Sequence, residues 1–134
     1  MLTRGAILGK QDAKIEEVHV PEWVDENGDD LVYVRGMTGA ERDAFEAETY
    51  LKRTEDGQQN YVNFRARLCI RAICDETGKR IFSDNDVDFL GAKQASALDR
   101  VFAAAQRLAG IGRKDVEEMT KNSQAGQSVN STSV

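Results

Sequence analysis

The sequence predicts a mainly α-helical protein of the α+β class, with a compact helical bundle packed against a small N-terminal β-hairpin. Apolar residues recur at steps of three and four over residues 92–109, Asn27-Gly28 separates two β-type runs, and helix-capping signals precede further periodic stretches. The 134 residues are most simply one domain over 1–121, with the hairpin at about 15–35 and helices over about 38–119.

Composition and charge narrow the class of protein. Hydrophobic residues make up 40% of the chain and charged residues 31%, which is typical of soluble globular proteins. No apolar run is long enough to cross a membrane, and the N-terminus lacks a secretory signal, so we expect a cytoplasmic protein. The formal net charge of −5 argues against a nucleic-acid surface, because duplex affinity comes mainly from neutralised phosphates.

The first residues predict a short helical turn and then a strand. Residues 2–9 can form a turn capped by Thr3, with Ile7 and Leu8 as docking groups. Residues 15–20 have strand character. Pro21 cannot donate to a sheet ladder, so this strand lies at an edge or bends there.

The hairpin prediction depends on Asn27-Gly28, a dipeptide that favours a two-residue turn. This turn would place Trp23 opposite Val32 and Val24 opposite Leu31 as cross-strand pairs. The surrounding carboxylates suggest a calcium loop, but a loop starting at residue 25 would need glycine at its sixth position and glutamate at its twelfth, and both are missing. A solvated turn is therefore the favoured interpretation.

Two helices are predicted in the middle of the chain. Thr38 and Glu41 form a capping box for a helix that runs to residue 51. Its apolar face consists of Ala40, Ala44, Ala47 and Leu51. A mobile loop follows, and Asn60 or Asn63 can cap the next helix, residues 64–73, whose arginines at 65, 67 and 71 fan across its polar side.

The C-terminal half predicts a tight turn at 75–79, a short extended segment and more helices. Residues 81–82 could pair with 73–74 or extend the hairpin, and Ser83 begins a capped short helix. The long helix ends at Gly110, and its stripe includes Val101, Ala105 and Leu108. A last helical piece is predicted at 113–119, and the polar residues 122–134 are predicted to be disordered.

The residue pattern offers little to catalysis. His19 lies in a strand without a nearby serine or cysteine partner, and no glycine loop has the spacing that cradles phosphate. Cys69 and Cys74 are best interpreted as buried free thiols. We therefore expect no enzyme activity, cofactor or metal, and a function carried by surfaces.

Several collinear motifs now support a family resemblance. They span nearly the whole chain: VPEW at 20–23, VRGMTGAERDAFE at 34–46, RARL at 65–68, DETGKRIFSDNDV at 75–87, ALDRVF at 97–102, RLAG at 107–110 and the ending KNS at 121–123 before a serine-rich tail. This order resembles tail assembly chaperones of long-tailed bacteriophages.

The resemblance implies a non-enzymatic protein that binds the tape-measure protein, keeps its apolar helical segments soluble and helps bring tail-tube subunits onto it. It implies action in the host cytoplasm and absence from the mature virion. Family genes commonly yield a longer, frameshifted product as well, and this chain shows no such extension. A homo-oligomer that binds neither nucleic acid nor membrane is expected.

The partner-binding prediction rests on the two alanine-rich helical stripes. A shallow face of small residues can accept another helix, so the contact is expected at Val101, Ala105 and Leu108, or at Ala40, Ala44, Ala47 and Leu51. The alternative is that both stripes pack on each other inside the fold. The rival functions are a structural virion component, such as a head–tail joining or tail-completion protein, and a small metal-dependent enzyme.

Overall fold

The computed structural model describes residues 1–111, which form helices around a small antiparallel sheet, and this confirms the predicted fold class. The elements in chain order are α1 (Arg4–Leu8), β1 (Ile15–His19), β2 (Leu31–Arg35), α2 (Gly39–Glu46), α3 (Phe64–Ala72), β3 (Ile73–Cys74), α4 (Val87–Gly91) and α5 (Ala95–Leu108). Short 3-10 turns occupy Pro21–Trp23 and Asp84–Asp86, and a π-helical turn, Ala47–Leu51, continues α2.

The hairpin forms, but its predicted register is wrong. β1 and β2 pair Val18 with Val32, so Trp23 does not face Val32. The ladder ends where the Val20 N–H donates to the Asp30 carbonyl at 2.8 Å. Pro21 has no N–H to continue the ladder and instead begins a 3-10 turn, which takes the chain out of the sheet.

The sheet has a third strand, whose pairing could not be decided from the sequence. β3 pairs antiparallel with β2, so the strand order is β1-β2-β3. Cys74 also forms a bridge with Arg80, and the Ile81 N–H reaches the Ile73 carbonyl at 3.5 Å. The predicted helix therefore ends one residue early, at Ala72, because residues 73 and 74 complete the sheet.

The core is built around α3, in which every residue except Arg65 is buried. α5 packs across α3 and onto β1 and β2. Phe64 of α3 meets Phe102 of α5 edge-on, with ring centroids 5.7 Å apart. Small residues of both helices contribute to the core: Ala66, Ala72, Ala97, Ala104 and Ala105 are all buried.

The predicted helix caps are mostly confirmed. Thr38 and Glu41 form both bonds of the capping box that starts α2. Ser83 and Asp86 form a second box before α4. Asn63 occupies the cap position of α3 in a left-handed conformation, φ 52°, but its side chain bonds to Asp88 rather than to the helix.

Residues 112–134 are outside the described part of the chain. The predicted helix at 113–119, the polar tail at 122–134 and the C-terminal boundary of the domain therefore stay predictions. None of the helices within residues 1–111 has the length and apolar character needed to span a membrane.

Candidate partner-binding surfaces

The α5 stripe, defined by Val101, Ala105 and Leu108, serves the core of this chain. Val101 and Ala105 have no exposed surface, and Leu108 is half-buried. The helix that carries them, α5, packs on α3, β1 and β2. A partner could reach the first two only if the core opened.

The α2 stripe, defined by Ala40, Ala44, Ala47 and Leu51, remains open. Ala40 and Ala44 are exposed, Ala47 is half-buried, and Leu51 keeps 78% of its surface accessible. On the opposite side of the helix, Phe45 is buried in the core. The two stripes therefore do not close on each other, and α2 presents a shallow strip of small side chains ending in one large apolar group.

Buried arginines hold the C-terminal end of this strip in place. Arg67 donates to the Thr49 hydroxyl at 2.9 Å, the Asn60 carbonyl at 2.8 Å and the Val62 carbonyl at 3.0 Å. Arg71, also buried, pairs with Glu48 at 2.7 Å. These contacts tie the π-helical turn to α3 and to the loop that follows it.

The expectation that the α3 arginines fan across a polar face is wrong for Arg67 and Arg71. Only Arg65 lies near the surface, where it pairs with Asp99 at 2.9 Å. Burial lowers the pKa of Arg67, a cost offset by its three hydrogen-bond acceptors and by the Phe45 ring 5.5 Å away. The four-residue spacing of Arg67 and Arg71 puts both on one helix face, and this spacing was the sequence feature that could have indicated their shared burial.

The other end of α2 is fixed to the sheet by Glu41. Its carboxylate accepts two hydrogen bonds from Arg35 of β2, at 2.9 and 3.0 Å, while it also caps Thr38. Burial raises the pKa of Glu41, but the bonds from Arg35 and Thr38 outweigh burial and lower it overall. Side-chain contacts thus tie both ends of the α2 stripe to the rest of the fold.

In the acidic loop tip, aspartate carboxylates accept hydrogen bonds from backbone N–H groups of the same loop. Asp25 accepts the N–H groups of Asn27 and Asp29, at 2.8 and 3.0 Å, as in an Asx turn. His19 lies at the surface and bonds to Asp30 at 2.7 Å; this bond raises the pKa of His19. Both observations agree with the solvated-turn and exposed-strand interpretations.

Neither cysteine is placed for chemistry. Cys69 and Cys74 are free and buried. Burial raises the pKa of the Cys69 thiol to about 12, which leaves almost no thiolate at neutral pH. Within residues 1–111, no cluster of three or more His, Cys, Asp or Glu side chains is arranged to hold a metal ion.

Two further exposed apolar surfaces were not identified from sequence as binding sites. All residues of the N-terminal arm, residues 1–10, are exposed, and Ile7 and Leu8 keep 57% and 67% of their surface, so they do not dock into the core of the described chain as expected. The α4 segment, residues 81–91, exposes Ile81 and Phe89. Isolated apolar residues do not reveal from sequence alone whether their own fold covers them.

Comparisons with known proteins point to one family. Residues 3–122 match a family model described as phage tail assembly chaperone. The chain is also similar to the solved structure of the bacteriophage HK97 tail assembly chaperone, with 18% identity and a TM-score of 0.53 over 80% of this chain and 91% of that one. At this identity the structural likeness shows the fold alone. No curated protein matches the sequence.

Proposed function

Because the chain belongs to the phage tail assembly chaperone family, we propose that it binds the tape-measure protein, keeps that protein soluble and helps recruit tail-tube subunits. Family and fold argue against an enzyme. The proposed action needs no covalent step: one folded chain lends a surface to the apolar helical segments of another until assembly covers them.

The open α2 stripe is the observation that carries this proposal. Ala40 and Ala44 leave room for a partner helix to approach the backbone closely, and Leu51 offers a large apolar contact at the end of the strip. An amphipathic helix recognised in a groove makes this kind of contact, with anchors spaced three and four residues apart. The contacts at both ends of α2 support the proposal, since a surface whose conformation is already held by contacts has less entropy to lose on binding.

The charge of the described residues favours solubility of such a complex. Residues 1–111 contain 20 acidic and 15 basic side chains, a formal net charge of −5. Like net charge on each complex disfavours association between complexes.

The proposal also covers further binding partners of the chain and the place where it acts. We expect self-association, contact with tail-tube protein and with a frameshifted longer form, action in the host cytoplasm, and absence from finished virions. The competing function is a structural virion component. Its quantity in purified particles separates the two, because a component is present at fixed stoichiometry and a chaperone is not.

Co-expression with the tape-measure protein tests the function and the site together. With the wild-type chain, the soluble fraction of the tape-measure protein should rise clearly. The double variant Ala44→Arg, Leu51→Arg places long cations on the α2 stripe and should reduce this gain by about fivefold or more. The control Ala103→Arg alters an exposed alanine of α5 and should behave as wild type.

Two outcomes contradict different parts of the proposal. If the tape-measure protein is equally insoluble with and without this chain, the chaperone function is wrong. If the wild type solubilises it and the α2 double variant does so equally well, binding occurs elsewhere and the α2 assignment is wrong.

A further inference from the structure

We propose that the N-terminal arm of one copy, residues 1–10, binds the α4 segment, residues 81–91, of a second copy. The inference rests on the proposed self-association and deepens it by naming both halves of the contact. The two surfaces carry opposite charge around exposed apolar side chains, and neither covers the other within one chain.

The arm has the composition of a segment that needs a partner. Its four large apolar residues, Met1, Leu2, Ile7 and Leu8, are all exposed, and no residue of α1 is buried. A five-residue helix is marginal in water without tertiary contacts. Burying three or four such side chains supplies the contacts that the isolated helix lacks.

The arm is also purely cationic. It contains Arg4 and Lys10 and no acidic residue. Neither Arg4 nor Lys10 forms an ion pair within residues 1–111. These charges are therefore available to an outside surface.

The α4 segment is the complementary surface. Phe89 keeps 76% of its area exposed and Ile81 keeps 58%. The segment contains three aspartates and no basic residue. Asp84 pairs with Arg80, but in the described part of the chain Asp86 and Asp88 form no ion pair, so the segment retains negative charge beside its apolar side chains.

A second copy is the occupant that fits both surfaces. Within one chain the arm and Phe89 are both exposed, so neither surface is buried by its own chain. The connector between residue 10 and β1 is only four residues long, a span of about 17 Å at full extension. Ala13 and Ile15 lie beside Gly78. The arm thus joins the fold just before β1, and all ten of its residues are exposed and accessible to a second copy.

Complementary variants test the contact in the full-length chain. The arm variant Leu2→Ser, Ile7→Ser, Leu8→Ser retains an intact α4 segment. The patch variant Ile81→Ser, Phe89→Ser retains an intact arm. All five positions are exposed, so circular dichroism should show both variants folded. The matched control Val24→Ser, Val62→Ser removes exposed apolar side chains elsewhere.

Sedimentation equilibrium should show self-association of the wild type and the control. Each single-surface variant should self-associate roughly tenfold or more weakly, whereas mixing the two should restore a one-to-one complex, since each supplies the half that the other lacks. Raising salt from about 0.05 M to about 1 M should weaken the wild-type contact.

Three results would overturn the inference: a monomeric wild type, an arm variant that self-associates like the wild type, or variants that do not combine when mixed. If the arm variant self-associates like the wild type but no longer increases the soluble fraction of the tape-measure protein, the arm binds that protein and not a second copy. The solubility test of the α2 stripe fails or succeeds independently, so failure of the contact and failure of the proposed function are distinguishable.

Discussion

At the scale of single residues, the buried arginines decide how the α2 stripe is presented. The sequence indicates a basic strip on α3, because arginine is rarely buried. In the fold, Arg67 instead donates to two loop carbonyls and to the Thr49 hydroxyl. Sequence patterns do not show which backbone carbonyls a loop leaves unpaired, so this role could not be predicted.

Replacing the guanidinium of Arg67 should therefore be costly. The change Arg67→Met keeps an apolar stem but leaves its acceptors without donors, and we expect a loss of about 3 kcal/mol in the free energy of unfolding. The control Arg65→Met removes a partly exposed ion pair to Asp99 and should cost less than about 1 kcal/mol. Urea denaturation measures both, and equal losses would show that Arg67 is not an anchor.

At the scale of elements, local signals were sufficient for some features and not for others. The capping boxes at Thr38 and Ser83 were predictable because each needs only residues three apart. The predicted hairpin register was wrong because it was derived from the Asn27-Gly28 turn alone. In the fold, Pro21 ends the ladder, and β1 pairs with β2 through residues 15–19 instead. β3 was ambiguous because the apolar run ending α3 suits a buried helix and a buried strand equally.

The link between β2 and α2 gives an element-scale prediction. Glu41→Gln weakens the bidentate pair with the buried Arg35 and should cost about 2 kcal/mol of unfolding free energy at pH 7. The pKa of Glu41 is lowered in the fold, so its stabilisation is present above its ordinary pKa of 4.5 and is lost as pH falls through the lowered value.

The difference in stability between wild type and Glu41→Gln should accordingly shrink below about pH 4, as thermal or urea unfolding across a pH series can measure. The control Asp43→Asn, exposed on the same helix, should change stability by less than about 0.5 kcal/mol. A difference that stays constant down to low pH would rule out the charged pair as its source.

At the scale of the whole molecule, the two alanine-rich stripes have different fates. Their sequences are similar, but the α5 stripe is covered by α3 and the sheet, while the α2 stripe is left open. Periodicity identified both stripes as apolar faces. Which one a partner could reach depended on the packing of α3, a long-range property that periodicity does not contain.

The fold class and the family could be predicted from the sequence, whereas the exposed surfaces could be predicted only in part. A closed core with apolar side chains exposed on α1, α2 and α4 is consistent with a chain that works through contacts with other chains. The central claim is that the α2 stripe lends its surface to a tape-measure helix while the core stays closed.

Amide hydrogen exchange with and without an apolar helical segment of the tape-measure protein tests this claim most directly. We expect added protection over residues 39–51 of α2 and its π-helical turn, with exchange in α5 unchanged. Protection confined to residues 95–108, or faster exchange there on binding, would mean that the core opens to receive the partner, and the account would be contradicted.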